Sequence, residues 1–141
     1  MENSIQKISI IGLGNVGSNL YQAFIDNKID VTHVVSRTEP ESFIKANSKW
    51  ITDPNELPED QFVLVCVPDS LISSVISSVP RNCPIAYTSG SIELQSLEKG
   101  REIGVFYPLQ TFTKGHKVDL FEVPFFVESE SPEFASRLSD L

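Results

Sequence analysis

The chain is short of cations. Eleven lysines and arginines stand against nineteen aspartates and glutamates in 141 residues, a formal net charge of −8. An acidic surface of this kind disfavours nucleic acid and anionic membranes as partners. It does not exclude a small anionic ligand, because a helix N-terminus and a single arginine act locally. Cysteine is also scarce. Cys66 and Cys83 are the only two, and they have neither metal-ligand spacing nor the pattern of a disulfide framework. Cys66 lies within an apolar run, where a buried thiol is expected. The two histidines, His33 and His116, are isolated from other ligand types, so no metal site is expected. His33 reads as a structural imidazole and His116 as a loop residue. No apolar run approaches the roughly 20 residues of a membrane helix. The first residues, Met1 to Ser4, carry no basic or apolar leader signal, and the expected location is the cytoplasm. Repeats and low-complexity tracts are lacking too, and 141 residues that are 40% hydrophobic suit one domain.

What the chain does have begins at Lys7. A short apolar strand, Lys7–Ile11, runs into Gly12, Gly14 and Gly17, spaced as G-x-G-x-x-G. This is the signature of a dinucleotide-binding turn. The first glycine permits the tight turn, the second lets the backbone approach a pyrophosphate, and the third lets the next helix pack against the strand. Strand-like and helix-like patterns then alternate. Val16, Leu20, Ala23 and Phe24 share a helical face, which Asn27 and Lys28 end. Strand character follows at 29–35 and helix at 40–47, with a short strand at Trp50 and Ile51. Residues 53–60, with two prolines and four acids, read as a surface loop. Phe62–Val67 is the strongest strand. It is followed by a helix with Asp69 or Ser70 as N-cap and Leu71, Ile72, Val75, Ile76 and Val79 on its apolar face. The serines of that helix form its polar side. Further strands are expected at 84–88, 103–107 and 125–128. A short helix is expected from Ser91 to Gly100, and another from Ser131 with proline at its first position. The fold class is therefore α/β, a Rossmann-like doubly wound sheet of about six to eight mainly parallel strands.

About 20 residues beyond the last glycine, NAD-binding turns carry an acid for the ribose hydroxyls. Here the sequence is Ser36-Arg37-Thr38. An acid at this point repels a 2′-phosphate, whereas Arg37 binds one through charge-assisted hydrogen bonds, with Ser36 and Thr38 as further donors. The expected cofactor is NADP(H). Ligands of open parallel sheets lie beyond the carboxyl ends of the strands. The expected cofactor-binding residues are therefore Gly12, Leu13, Gly14, Asn15, Val16 and Gly17 at the pyrophosphate, Ser36, Arg37 and Thr38 at the adenosine phosphate, and Val67, Pro68, Thr88 and Ser89 beside the nicotinamide. An ordinary turn with a helix cap accounts equally well for 88–91. Gln110 and Thr111 are read as bonding their own loop, and Asp119 and Glu122 as surface charge.

Gly12-Leu13-Gly14-Asn15-Val16-Gly17, Val67-Pro68-Asp69, Thr88-Ser89-Gly90-Ser91 and Tyr107-Pro108-Leu109-Gln110-Thr111-Phe112 occur in that order. Together they resemble a family of Rossmann-like NADP oxidoreductases with a helical C-terminal domain of unknown function. These are distant relatives of pyrroline-5-carboxylate reductases and of deazaflavin-dependent NADP oxidoreductases. The resemblance implies an NADP-binding domain at 1–128. It also implies that 129–141 begins a helix leading to a helical domain absent from this chain, through which a homodimer forms. Many members have histidine where this chain has Tyr107, and often where it has Tyr87. The catalytic residues are therefore unassigned: Tyr107 can hydrogen-bond a substrate carbonyl, but a phenol is a poor base near neutrality. The expected function is hydride transfer between NADP(H) and a small-molecule substrate. The alternative is a non-catalytic NADP-binding or redox-sensing module.

Overall fold

The computed structural model describes residues 7–94, 97, 101–109, 125–132 and 134. Strand β1 (Lys7–Ile11) leads through the glycine turn into helix α1 (Asn15–Asp26). Then come β2 (Asp30–Val35), α2 (Ser42–Asn47), β3 (Lys49–Ile51), a 3-10 turn at Pro54–Glu56, and β4 (Phe62–Val65). Helix α3 (Asp69–Ser78), β5 (Ile85–Tyr87), β6 (Ile103–Pro108) and β7 (Phe125–Ser129) follow among the described residues. The seven strands form one sheet in the order β3-β2-β1-β4-β5-β6-β7. All neighbours are parallel except β6 and β7. The chain leaves β1 towards β2 on one side and later returns to β4 on the other, which makes β1 the switch point of a doubly wound sheet.

Both faces of the sheet are covered, which is why its central strands read as continuous apolar runs. On one face Ile8, Ile10, Leu64 and Phe106 meet Leu20, Tyr21 and Phe24 of α1, with Phe134 fully buried beside them. On the other, Ile11, Val63, Val65, Ile85 and Val105 meet Ile72 and Ile76 of α3 together with Leu94 and Leu97. Each such side chain contributes about 1.5–3 kcal/mol when fully buried. The β1–β2 ladder is irregular: Ile8 pairs with Val31, but Ser9 pairs with His33, leaving Thr32 as a bulge. The freed Thr32 hydroxyl lies 2.7 Å from Gln61 Oε1, which also accepts from Ser9 Oγ at 2.7 Å, and 2.9 Å from His33 Nδ1.

Several element boundaries differ from those expected. The 53–60 segment is a surface loop as anticipated, but it folds Leu57 into the core. Its 3-10 turn is capped by the Asp53 side chain, which accepts from the Asn55 N–H. Helix α3 is capped by neither Asp69 nor Ser70; its N-cap is Pro68, and Asp69 sits in the first turn, where its charge complements the helix dipole. Leu71 is not core but 42% exposed. The hydroxyl at the head of the 88–94 segment that accepts backbone N–H groups belongs to Ser89, which takes those of Ser91 and Ile92, not to Ser91. Ser131 does cap a helical turn, its hydroxyl accepting from the Phe134 N–H at 3.2 Å, with Pro132 helical after it. The positions read at Gly100, Gln110, Thr111, Phe112, His116, Asp119 and Glu122, and 135–141 of the expected terminal helix, lie outside the described residues.

The far end of α3 is held by one side chain. Arg101 donates to the carbonyls of Ile76, Val79, Pro80 and Cys83 at 3.2, 3.2, 2.5 and 3.0 Å. A guanidinium at a helix C-terminus satisfies carbonyls that lack helical partners and complements the dipole. Arg101→Lys cannot span four acceptors. In urea titrations Arg101→Lys is expected to lose about 2 kcal/mol and Arg101→Ala about 3 kcal/mol, the range for stripping charged hydrogen bonds from buried acceptors; equal stabilities for all three proteins contradict this.

Candidate functional site

A cleft of about 650 Å³ opens at the carboxyl ends of β1, β2 and β4, within the usual range of roughly 300–1,000 Å³ for small-molecule sites. Its floor is the glycine turn. Gly12 has φ +96°, and a Cβ there would stand 2.4 Å from the Cys66 carbonyl oxygen, so only glycine fits. A Cβ on Gly17 would stand 1.9 Å from the Gly12 carbonyl oxygen. Helix α1 thus rests directly on the turn. Gly14 differs: an added Cβ meets nothing within 4 Å. The space over it is open on the cleft side, as close approach of a ligand to the backbone requires.

Hydrogen bonds fix the turn in place. The Gly12 N–H donates to the Val35 carbonyl at 2.9 Å, tying it to the end of β2. The Cys66 N–H donates to the Ile11 carbonyl at 2.7 Å, tying it to the end of β4. Ser18 Oγ closes the loop onto the Leu13 carbonyl at 2.7 Å. Helix α1 has Gly14 as N-cap, with no side-chain acceptor and no acid in its first turn. Its positive dipole end is therefore not offset by a side chain at the cap or by an acid, which favours an anion there. Helix α3 also starts at the cleft but brings its own acid, Asp69. Of the two, α1 is the anion-facing one.

The second wall is the turn after β2. Ser36 Oγ donates to the Thr38 carbonyl at 2.8 Å, and the Ser36 carbonyl accepts from Trp50 Nε1 at 3.0 Å. Ser36, Arg37 and Thr38 all line the cleft. Arg37 is exposed, and of the two neighbouring acids Glu39 is paired with Lys45 of α2. Leu71, Val75, Val67 and Pro68 supply an apolar wall opposite.

The cleft therefore brings together Gly12, Leu13, Gly14, Ser36, Arg37, Thr38, Val67 and Pro68. Asn15, Val16 and Gly17 stand behind the turn as the start of α1. Thr88 and Ser89 do not line this cleft. The Thr88 hydroxyl donates to the Val65 carbonyl at 3.3 Å, and Ser89 is buried with its hydroxyl engaged by two backbone N–H groups. Sequence reasoning missed several lining residues, among them Leu71, Ser18, Glu39 and Glu41. Leu71 was assigned to the core by helical spacing, and Ser18 carried no signal beyond following Gly17. At the other end of the crevice the Tyr107 ring lies on Gly90, where a Cβ would come within 2.5 Å of Cε2.

Titratable groups beneath the site are structural. Burial pushes the Cys66 thiol up to about 12, partly offset by the Thr88 hydroxyl. Burial also pushes the Tyr87 phenol up to about 12, with Glu128 adding to the shift; its hydroxyl donates to the Ile92 carbonyl at 2.8 Å. His33 is lowered by burial and by Lys49, which suits the structural role expected of it. No group of three or more metal-ligating side chains occurs among the described residues, and none of their helices is long and apolar enough to cross a membrane.

Residues 7–84 match the family model described as NADP oxidoreductase, coenzyme F420-dependent. Among solved structures, a provisionally named NADP oxidoreductase from Bacteroides fragilis is similar over 98% of this chain at 31% identity, with a TM-score of 0.81. A Thermotoga maritima protein is similar over 94% at 15% identity, with a TM-score of 0.66, a likeness of fold alone. This chain spans 56% and 53% of those two proteins. No curated protein matches it in sequence.

The raised values of Cys66 and Tyr87 give a pH prediction. Unfolded, they titrate near 9.0 and 10.0; folded, near 12. Their contribution to stability is complete below pH 9 and is lost as the pH rises towards 12, because the unfolded chain releases those protons first. Urea midpoints at pH 8 and pH 11 check this. The drop is expected to be smaller in Tyr87→Phe than in the parent, and equal drops contradict the Tyr87 share.

Proposed function

The chain belongs to the coenzyme F420-dependent NADP oxidoreductase family, and from that premise we propose that it is the NADP(H)-binding domain of an oxidoreductase acting on a small substrate. The observation that carries this reading is the convergence of an α1 N-terminus without a side-chain cap or acid, the open backbone at Gly14 and Arg37 on one cleft. The first two fit a pyrophosphate. The third fits the 2′-phosphate that distinguishes NADP from NAD, since a guanidinium binds a phosphate where an acid repels it. The apolar wall of Leu71, Val75 and Pro68 suits the face of a base. When bound, the nicotinamide supplies or accepts the hydride. The chain's own residues bind and orient it: the turn holds the pyrophosphate, Ser36, Arg37 and Thr38 hold the adenosine end, and Val67 and Pro68 lead towards the β5 end, where Thr88 and Ser89 set the backbone. Tyr107, resting on Gly90 beyond that turn, is the side chain best placed to hydrogen-bond a substrate.

That the chain spans little more than half of the Bacteroides fragilis protein supports a two-part arrangement. In it, residues 1–128 form the nucleotide unit and 129–141 lead into a helical domain that closes the active site and makes a homodimer. A soluble cytoplasmic enzyme is the corresponding setting.

Binding tests the reading. Trp50, whose indole N–H bonds the Ser36 carbonyl, is a fluorescence reporter beside the adenosine wall. NADPH is expected to bind at least tenfold tighter than NADH, a difference of about 1.4 kcal/mol. Arg37→Ala is expected to abolish that preference. Gly14→Ala is expected to fold normally and weaken both dinucleotides, while Gly17→Ala is expected to lose stability at or beyond the upper end of the roughly 1–3 kcal/mol that overpacking costs. Equal affinity for the two dinucleotides, unaltered by Arg37→Ala, overturns the assignment. Hydride transfer from NADPH to imines, ketones or a deazaflavin separates enzyme from sensor; tight binding without transfer to any of them favours the sensor.

A further inference from the structure

Arg37 is not the only charged side chain on its stretch of cleft wall. Glu39 and Glu41 line it too. One guanidinium facing two carboxylates is a poor receptor for a phosphate bearing close to two negative charges. The balance changes with Lys45, in the last turn of α2, whose ammonium pairs with Glu39. Both partners are well exposed, 39% for Lys45 and 59% for Glu39, and exposed pairs of this kind add little to stability. The pair has a larger effect on the cleft. Paired, Glu39 presents almost no net charge to a ligand. Unpaired, it is a carboxylate just over 20 residues beyond Gly17, the region in which an acid accepts ribose hydroxyls and repels a 2′-phosphate.

We propose that the Lys45–Glu39 ion pair sets which dinucleotide the cleft accepts, with Lys45 as a positioning residue that neutralises Glu39 and thereby admits a 2′-phosphate beside Arg37. This rests on the cleft being the NADP(H) site. Lys45 does not itself line the cleft; it works through Glu39. Its effect is therefore present only while Glu39 carries charge. Because the pair is exposed, the effect shrinks as ionic strength rises and the Debye length falls from about 10 Å at 0.1 M salt to about 3 Å at 1 M.

Affinities for adenosine 2′,5′-bisphosphate and 5′-AMP, read by Trp50 fluorescence in the parent, Lys45→Met, Glu39→Gln, the double variant and Arg37→Ala, decide the matter without any turnover. The substituted side chains, Arg37, Glu39 and Lys45, are all exposed, and circular dichroism verifies that each variant is folded. Lys45→Met is expected to reduce the preference for the bisphosphate about tenfold at low salt and far less at 1 M. Glu39→Gln is expected to keep the preference at or slightly above the parent's, and the double variant to match Glu39→Gln alone. An unchanged preference in Lys45→Met overturns the proposal. So does a Lys45→Met loss that persists in full when Glu39 is already Gln, since Lys45 would then be touching the phosphate itself. A parent that prefers the bisphosphate, loses that preference in Arg37→Ala and ignores Lys45→Met overturns this inference while leaving the NADP(H) site standing. A parent with no preference and no response to Arg37→Ala removes the site and this inference together.

Discussion

Helix α1 begins with backbone against backbone. The Gly12 carbonyl oxygen occupies the place where a side chain at Gly17 would be, 1.9 Å from its ideal Cβ. Any other residue there lifts the helix off the turn. With the helix down, its first N–H groups stand at the end of β1, and the turn is held from both sides by bonds to Val35 and from Cys66. The apolar packing of the sheet supplies most of the stability, but packing alone tolerates many arrangements. The glycine contact narrows them to one in which three strand ends and two helix starts share a cleft.

The charge of the chain looks at odds with a phosphate-binding cleft, and distance reconciles them. A net charge of −8 is spread over the surface and screened beyond about 8–10 Å in physiological salt. A helix terminus and a guanidinium act at contact. A polymeric anion has to lie along the acidic surface and is turned away; a small one touches only the cleft. The contrast between the two helices that start there sharpens this. Asp69 occupies the first turn of α3, whereas the first turn of α1 has no acid and its Gly14 cap has no side chain.

Much of this architecture was legible in the sequence because the parallel strands are buried on both faces and read as apolar runs. The glycine motif was legible because its spacing has one mechanical meaning. Helix starts were less so. Asp69, Ser70 and Ser91 are good capping residues by type, but Pro68 and Ser89 take those positions, since the cap is set by where the strand before it ends. Leu71 fits the helical stripe by count yet faces the cleft, because α3 overhangs the sheet at its first turn. Glu39 and Lys45 are six residues apart, across the start of α2, a pairing that depends on how that short helix turns back. No periodicity in the sequence anticipates it.

Thr32 has a further consequence. In an unbroken strand Val31 and Val34 face opposite ways. The bulge at Thr32 adds one residue to β2 alone, so both valines join the α1-side core while Val35 joins the other. The strand therefore changes its alternation frame halfway along. The half before the bulge serves one reading of inside and outside, and the half after it another, and the turn carrying Arg37 inherits the second. Straightening the strand without removing a residue is thus a frame error in space, which sends one half of it, or the turn beyond it, to the wrong side of the sheet, whereas deleting Thr32 itself restores a regular ladder with both halves in place.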